Sequence, residues 1–328
     1  MIKIAVDAAG GDHYPQNPVS GAVLAAQEND NITIVLTGPE SEISKELDKH
    51  DYPKGRIILH DTPEIIGMEE SPAQAVRNKT QSSIVVGLGM HQKGTVDGFV
   101  SAGNTGALMA ASAFILGRLD GVIRPTIATF FPTVKRYGLM IDAGANLEVK
   151  PEMLFQFGVM GNIYARDIMG IETPRIGLLN VGEEKEKGSE TLKKAHVLLE
   201  ALPNFVGNLE GRDILSGQAD VFICDGITGN ILLKFGESIP DALKMLLMGV
   251  IKKRQLDKEQ VAMVVSLLEE AFSPFDYQKV GGVPFLGVNG ISMVGHGGSS
   301  PVAIKNMILN AVRMAEIDIN KKIIASVA

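Results

Sequence analysis

The chain has no tryptophan, one cysteine and few aromatic residues, and each shortage removes an option. The lone Cys224 cannot close a disulfide within the chain, and no cysteine cluster could hold zinc, so a reducing, cytoplasmic setting is expected. Aromatics make up 5% of the residues, so the core must be aliphatic, as in a Val/Ile/Leu-rich parallel sheet covered on both faces. No run of about 18 apolar residues occurs, so no segment is expected to span a membrane. The opening Met1-Ile2-Lys3-Ile4-Ala5-Val6 reads as a strand and not as a signal peptide. Positive charge is short as well. A formal net charge of −7 argues against binding nucleic acid or anionic lipid with the whole surface, so an acidic partner needs a local basic patch.

What is present is a steady alternation of short β-branched runs with helical patterns. Strands are expected at 2–7, 32–37, 56–60, 98–101, 127–131, 138–142, 175–179 and 220–224. Helices are expected at 18–28, 41–48, 71–78, 83–92, 105–116, 151–169, 190–202, 229–253, 258–271 and 300–319. No long linker interrupts them. Residues 1–328 therefore read as one α/β unit with a mainly parallel sheet and helices on both faces, and a helical segment near 237–272 is expected to protrude.

Six glycine-rich turns follow strands and lead toward helices: Asp7–His13, Ser101–Ala107, Asp142–Asn146, Asn180–Glu184 leading on to Lys187, Asp225–Asn230, and Gly295–Pro301. Ligands of open α/β sheets collect beyond the carboxyl ends of the strands. Glycine lets the backbone come close to a ligand, and exposed N–H groups at helix starts favour an anion. Any one turn is equally well explained by ordinary capping chemistry. Six of them, sharing Gly with Asn, Thr or Ser, point to phosphate. G-x-x-x-x-G-K-[ST] is absent, and no strand leads into G-x-G-x-x-G, which speaks against ATP and a conventional dinucleotide. H-E-x-x-H and G-x-S-x-G are absent too. Of the histidines, His50, His60, His91 and His196 read as surface residues, whereas His13 and His296 lie inside glycine-rich turns. Cys224, in an apolar run, reads as a packed core residue.

In this order the turns resemble the bacterial phosphate acyltransferases of phospholipid synthesis, which act on acyl-acyl-carrier-protein. The resemblance rests on Val6–His13, Ser101–Ala107, Leu178–Glu184, Asp225–Asn230 with Lys234, Gly281–Gly290 and Gly295–Ser299, and it spans nearly the whole chain. It implies a three-layer α/β/α fold similar to the isocitrate/isopropylmalate dehydrogenase and phosphate acetyltransferase group, a homodimer, and no metal, nucleotide or other cofactor. It also implies acyl carrier protein and inorganic phosphate as substrates, with acyl phosphate as product.

Phosphate is already anionic at neutral pH, so the protein must mainly position it and stabilise the developing oxyanion. Phosphate is expected against Gly103–Gly106 and Thr228–Asn230, with Lys187 and Lys234 as charge partners. Asn104, Lys187, Asn230 and His296 are the catalytic candidates, with His296 or Lys187 as the acid for the leaving thiolate. The substrate-binding candidates are Asp7, Gly10, Gly11, Asp12, His13, Ser101, Gly103, Thr105, Gly106, Asp142, Asn146, Asn180, Glu183, Asp225, Thr228, Gly229, Lys234 and Ser299. Among these, Asp7, Asp142 and Asp225 read as acceptors that orient loops. Lys187 reads equally well as a solvated lysine in the charged run 183–187.

For carrier-protein docking, Lys252-Lys253-Arg254 is the densest basic candidate, ahead of Arg118, Arg124, Lys135 and Arg136. The helix 239–254 carries a broad apolar face, which fits packing into the core, a dimer interface, or peripheral contact with the inner face of the cell membrane. Two other functions share these features: acetyl transfer from a coenzyme A thioester, and a non-catalytic adaptor that senses phosphate or lipid.

Overall fold

Alternation within the first strand sets the layers. In β1 (Ile2–Asp7), Ile4 and Val6 enter one apolar cluster and Ala5 enters another, as a side-chain period of two requires. The computed structural model describes residues 1–273 and 277–327. Among these residues β1 is joined by β2 (Ile32–Gly38), β3 (Ile57–Asp61), β4 (Gly98–Ser101), β5 (Thr126–Pro132), β6 (Tyr137–Ile141), β7 (Ile176–Leu179), β8 (Phe205–Leu209), β9 (Val221–Ile223), β10 (Val283–Leu286) and β11 (Ser292–Val294). They form one sheet in the order β3-β2-β1-β4-β11-β10-β5-β6-β9-β7-β8.

The eight expected strands are all present, each within one residue of its expected ends. Three more were not expected. β8 contains Gly207 and Asn208, β10 contains Pro284, and β11 is three residues long, so none shows the β-branched run that marks a strand.

Helices α1 (Gln16–Glu28), α2 (Glu40–Leu47), α3 (Pro72–Asn78), α4 (Ser83–Gln92), α5 (Thr105–Ala111), α6 (Pro151–Asp167), α7 (Glu190–Leu199), α8 (Gly211–Ser216), α9 (Gly226–Arg254), α10 (Lys258–Phe272), α11 (Pro301–Glu316) and α12 (Ile319–Val327) complete the three-layer α/β/α fold. The expected helix 105–116 is α5 continued by a π-turn over Ser112–Leu116. The expected helix 300–319 ends at Glu316, because Asp318 takes a left-handed backbone (φ 49°) before α12 starts.

One face of the sheet carries a single large cluster that runs its full width, from Ile57 of β3 to Ile176 of β7 with Phe205 of β8 packed against it, covered by α1, α11, α6 and α12. The other face is divided. Phe99, Leu108 and Phe285 belong to one cluster there, and Phe131, Phe222 and Leu209 to another.

Strand direction explains that division. β3, β2, β1, β4 and β11 are parallel, as are β6, β9, β7 and β8, but the antiparallel strands β10 and β5 between them reverse the sense. The carboxyl ends of the two parallel sets would face apart in a flat sheet. Twist of about 20–25° per strand adds up to about 100–125° over the five steps from β4 to β9 and turns both sets of ends toward the seam.

α9 and α10 leave the body. Only Gly226, Gly229, Gly236 and Ile251 of α9 are buried, and no residue of α10 is. Packing of residues 239–254 into the core of this chain is therefore overturned: Met245 and Leu246 are 70% and 68% exposed. Among the described residues no helix is long and apolar enough to cross a membrane.

At the far side Asp167, at the end of α6, accepts hydrogen bonds from Arg166 (2.7 Å) and from Lys322 of α12 (2.9 Å). Arg166 first, then Lys322, hold its carboxyl down to about 2 from an ordinary 3.8. A depressed carboxyl adds stability above its unfolded pKa and loses it as pH falls through the folded one. Asp167→Asn should therefore lower Tm by about 2–4 °C at pH 7. The gap to the parent should close between about pH 4 and pH 2, as read by calorimetry across that range.

Candidate active site

The first cradle joins three adjacent strands. The Asp7 carboxylate, at the end of β1, accepts a hydrogen bond from Ser101 Oγ at 2.6 Å and one from the Ala9 N–H at 3.1 Å. Ser101 Oγ in turn accepts the Gly103 N–H at 2.9 Å. Burial pushes the Asp7 carboxyl above its ordinary range, against the opposing bonds from Ser101, Ser83 and Ala9. Gly10 lies so close that a Cβ there would stand 2.4 Å from Asp7 Oδ2 and 2.9 Å from the Gly103 nitrogen. The Asp12 N–H donates to the Gly297 carbonyl at 2.8 Å, which brings the turn after β11 alongside. Ser299 is buried beneath that turn, its hydroxyl without a protein partner among the described residues. His13 is exposed on the rim.

Asn104, one of the catalytic candidates, has its amide engaged within the fold. Its Oδ1 caps α5 by accepting the Ala107 N–H at 3.0 Å, and its Nδ2 faces the carbonyls of Gly67, Met68 and Glu70, each at 3.1 Å. With both ends of the amide engaged and the residue buried, Asn104 positions the loop 67–70 and does not line the cavity described below. Thr105, next in sequence, is exposed and does line it. Gly106 abuts Pro72 of α3.

The second cradle centres on Asp142, which is fully buried. Its Oδ1 accepts the Ile127 and Ala145 N–H groups at 3.1 and 3.2 Å, and its Oδ2 accepts the Asn146 N–H at 2.6 Å and Nδ2 at 2.9 Å. Asp225 caps α9, accepting the Thr228 N–H and hydroxyl at 2.8 Å each. Gly229 seats the first turn of α9 directly on this loop: a Cβ there would stand 1.8 Å from the Asp142 carbonyl oxygen. Asn230 projects exposed beside Gly144.

The third turn follows β7, which pairs with β9. Asn180 closes it, accepting the Val181 N–H at 2.8 Å and donating to the Lys187 carbonyl at 3.1 Å. Lys187 is exposed and makes no ion pair among the described residues, whereas Glu183 faces Arg212 at 3.4 Å. These three residues do not line the cavity.

The cavity, of about 390 Å³, lies at the seam between the two divided clusters, in the size range of small-ligand sites. Four of the expected residues meet there: Thr105 and His296 from the first half, Asn230 and Lys234 from the second. His296 Nδ1 accepts the Gly298 N–H at 3.1 Å, so in the neutral ring the proton sits on Nε2. Lys234 pairs with Glu237 at 3.1 Å. Apart from Thr129 and Glu237 the remaining wall is mainly apolar: Phe130, Phe131 and Tyr137 from the β5–β6 hairpin, and Leu233 beside Gly236 on α9. That wall was not anticipated. Its one signal in the sequence was the aromatic group 130, 131 and 137 in a chain poor in aromatics.

Two histidines read as surface residues are internal. His196 is buried, with Nδ1 2.9 Å from Asn208 Oδ1, and His91, half-buried near the end of α4, turns inward and accepts the Ile291 N–H at 2.7 Å. Burial holds the His91 imidazole below its ordinary range. Each is a polar tie on a helix face that periodicity marks only as mixed. Cys224 is buried as expected, and burial pushes its thiol well up.

A family model described as "Fatty acid synthesis protein" matches residues 2–322. A phosphate acyltransferase of Chlorobaculum parvum is 47% identical over 99% of this chain and 98% of its own length. One from Halothermothrix orenii is 42% identical over 98% and 96%. Among solved structures, a phosphotransacetylase from Streptococcus pyogenes superposes with a TM-score of 0.63 at 17% identity, over 96% of this chain and 94% of its own. A 4-hydroxythreonine-4-phosphate dehydrogenase from Klebsiella pneumoniae gives 0.54 at 15%, over 96% and 98%. At these identities the two structures speak for the fold alone.

The two caps differ in what their loss should cost. Asp142→Asn turns an amide NH₂ toward buried N–H donors and should cost at least about 2 kcal/mol. Asp225→Ala removes one half-exposed helix cap and should cost about 1 kcal/mol. Urea unfolding of the two variants should rank them in that order.

Proposed function

The chain belongs to the fatty acid synthesis protein family, an acyltransferase family whose curated relatives are phosphate acyltransferases, and from that we propose a specific reaction for it. It transfers a long-chain acyl group from an acyl-carrier-protein thioester to inorganic phosphate, giving acyl phosphate and the free carrier thiol. The observation that carries this reading is the seam cavity, in which Thr105, Asn230, Lys234 and His296 converge at the edge of an apolar wall. The apolar part suits the acyl chain and the polar edge suits a thioester meeting phosphate.

A phosphate oxygen attacks the thioester carbonyl, the carbon–sulfur bond breaks, and the electron pair leaves on sulfur. Phosphate lies against Gly103–Gly106, where the Thr105 and Gly106 N–H groups open α5, and against Thr228–Asn230, with the Asn230 and Thr105 side chains as neutral donors to the developing oxyanion. His296 offers its Nε2 proton to the departing thiolate. A model thiol has a pKa of about 8.5, so that proton helps without being indispensable. Lys187 supplies positive charge from the neighbouring turn, where Asn180 fixes its backbone, and Lys234 does so at the cavity edge. Asp7, Asp142 and Asp225 shape the loops, and the transfer is direct, with no covalent acyl-enzyme.

The hairpin α9–α10 completes the reading. Its apolar face serves contact between two copies of the chain and peripheral contact with the inner face of the cell membrane, where the basic end Lys252–Arg254 faces anionic lipid. Polar substitutions at Leu246, Leu247 and Val250 should abolish flotation with anionic liposomes. A parent-like flotation would remove the membrane role, and a parent-like dimer in sedimentation would remove these three residues from the dimer interface.

The reaction itself is tested by phosphate-dependent release of carrier thiol, with acyl phosphate trapped by hydroxylamine. Thiol release from acyl-carrier-protein is expected. Phosphate binding without release would mark an adaptor, and turnover confined to acetyl-CoA would mark an acetyltransferase. Lys187→Ala should lower turnover at least about tenfold, and a stable acyl-enzyme isolated during turnover would rule out direct transfer.

A further inference from the structure

A second concavity, an open groove of about 810 Å³, lies outside the site described above. Arg118, Arg124 and Lys150 line it against one carboxylate, Glu148, over a floor that includes Val149 and Met153. Three cations facing one anion give a basic groove on a chain whose net charge is −7. Arg118 lies along the loop, donating to the Ile123 carbonyl at 3.1 Å. Arg124 and Lys150 are exposed and form no ion pair among the described residues. Leu147, beside Glu148, is 66% exposed and adds an apolar contact at the rim.

Position separates this groove from the other basic residues. Pro125 lines the groove, and its carbonyl accepts Asn146 Nδ2 at 2.9 Å; the Asn146 carbonyl accepts the Gly226 N–H, at the start of α9, at 2.8 Å. Ile127 and Ala143, a few residues away on the same strand and turn, line the seam cavity. Groove and cavity thus share a wall, formed by the start of β5 and the turn 142–146. Lys252–Arg254 lie about 36 Å further along α9 than Asn230, at 1.5 Å per residue. Lys135 donates to the Gly217 carbonyl at 3.0 Å and Arg136 faces Asp220 at 3.3 Å, so both are engaged within the fold.

We infer that the groove of Arg118, Arg124 and Lys150 is the docking surface for an acidic carrier protein, which it holds one turn away from the seam cavity. The inference rests on the carrier-protein donor proposed above. Acidic side chains of the carrier meet the three cations, Leu147 meets an apolar side chain among them, and the thioester reaches over the turn 142–146. Complementary charge of this kind acts mainly on encounter, so its signature is a salt-sensitive KM for the protein-borne substrate alone.

The test uses the full chain with Arg118→Glu, Arg124→Glu and Lys150→Glu, singly and combined. Each is assayed with an acyl-carrier-protein thioester and with the small neutral acyl thioester of N-acetylcysteamine. The triple variant should raise KM for the carrier thioester at least about tenfold and lose its salt dependence. Turnover of the small thioester should stay within about twofold of the parent, a readout that a misfolded variant would fail; parallel loss of both substrates, with Arg124→Gln and Lys150→Gln behaving the same way, overturns the inference. So does a carrier KM that is unchanged in the triple variant, or that responds instead to charge reversal at Lys252–Arg254. A parent enzyme that turns over the small thioester but not the carrier thioester overturns the donor assignment itself and the groove with it.

Discussion

The seam depends on one buried carboxylate. Asp142 gathers hydrogen bonds from the start of β5, from its own turn and from the Asn146 side chain, without a cation in the set. Because its backbone carbonyl also sits under Gly229, the same residue fixes where α9 begins. The direction of α9 in turn decides where Asn230, Leu233 and Lys234 stand. An uncompensated charge in that position would be costly; donors converging from one strand, the turn and a side chain keep it tolerable. The first half repeats the device with Asp7, Ser101 and Gly103.

This economy of charge bears on how an acidic protein can accept an anion. The buried carboxylates take up N–H groups of these loops and fix the backbone, so the helix-start dipoles that stay outside those bonds are held in place before a ligand arrives. Among the described residues, cations without an ion pair near these turns are local. Lys187 stands on one turn, and three more side chains stand in a groove behind another. Dipoles fixed by buried acids lose little to salt, whereas the exposed cations are screened over about 8–10 Å. A small anion held by the first and a large acidic partner met by the second would therefore respond differently to ionic strength.

Most of the architecture was legible in the sequence because it is written in local patterns. Eight strands followed from β-branched runs, and the turns followed from Gly with Asn, Ser or Thr. β8, β10 and β11 escaped because glycine, proline or brevity hid them, and β10 and β11 are also fixed by pairing with β5 and β4, far away in the chain. At the site, Thr105, Asn230, Lys234 and His296 could be named as turn or helix-start residues, yet nothing local says that they meet. Their meeting depends on twist summed over reversed strands. Asn104 shows the opposite limit: residue type and place suited catalysis, while its amide is taken up by three carbonyls of a loop more than thirty residues earlier. His91 and His196 likewise became internal through partners that no period reveals.

The place of β10 and β11 has a consequence for how the protein comes into being. These strands are made late, yet they lie at the middle of the sheet, between β4 and β5, and Val283 and Val294 line the cavity. A ribosome that has finished β9 has released both parallel halves but not the pieces that join them. The growing chain therefore carries two open sheet edges and no complete seam cavity until β11 and His296 have emerged. Truncation just short of that point leaves most of the strands and an incomplete seam cavity.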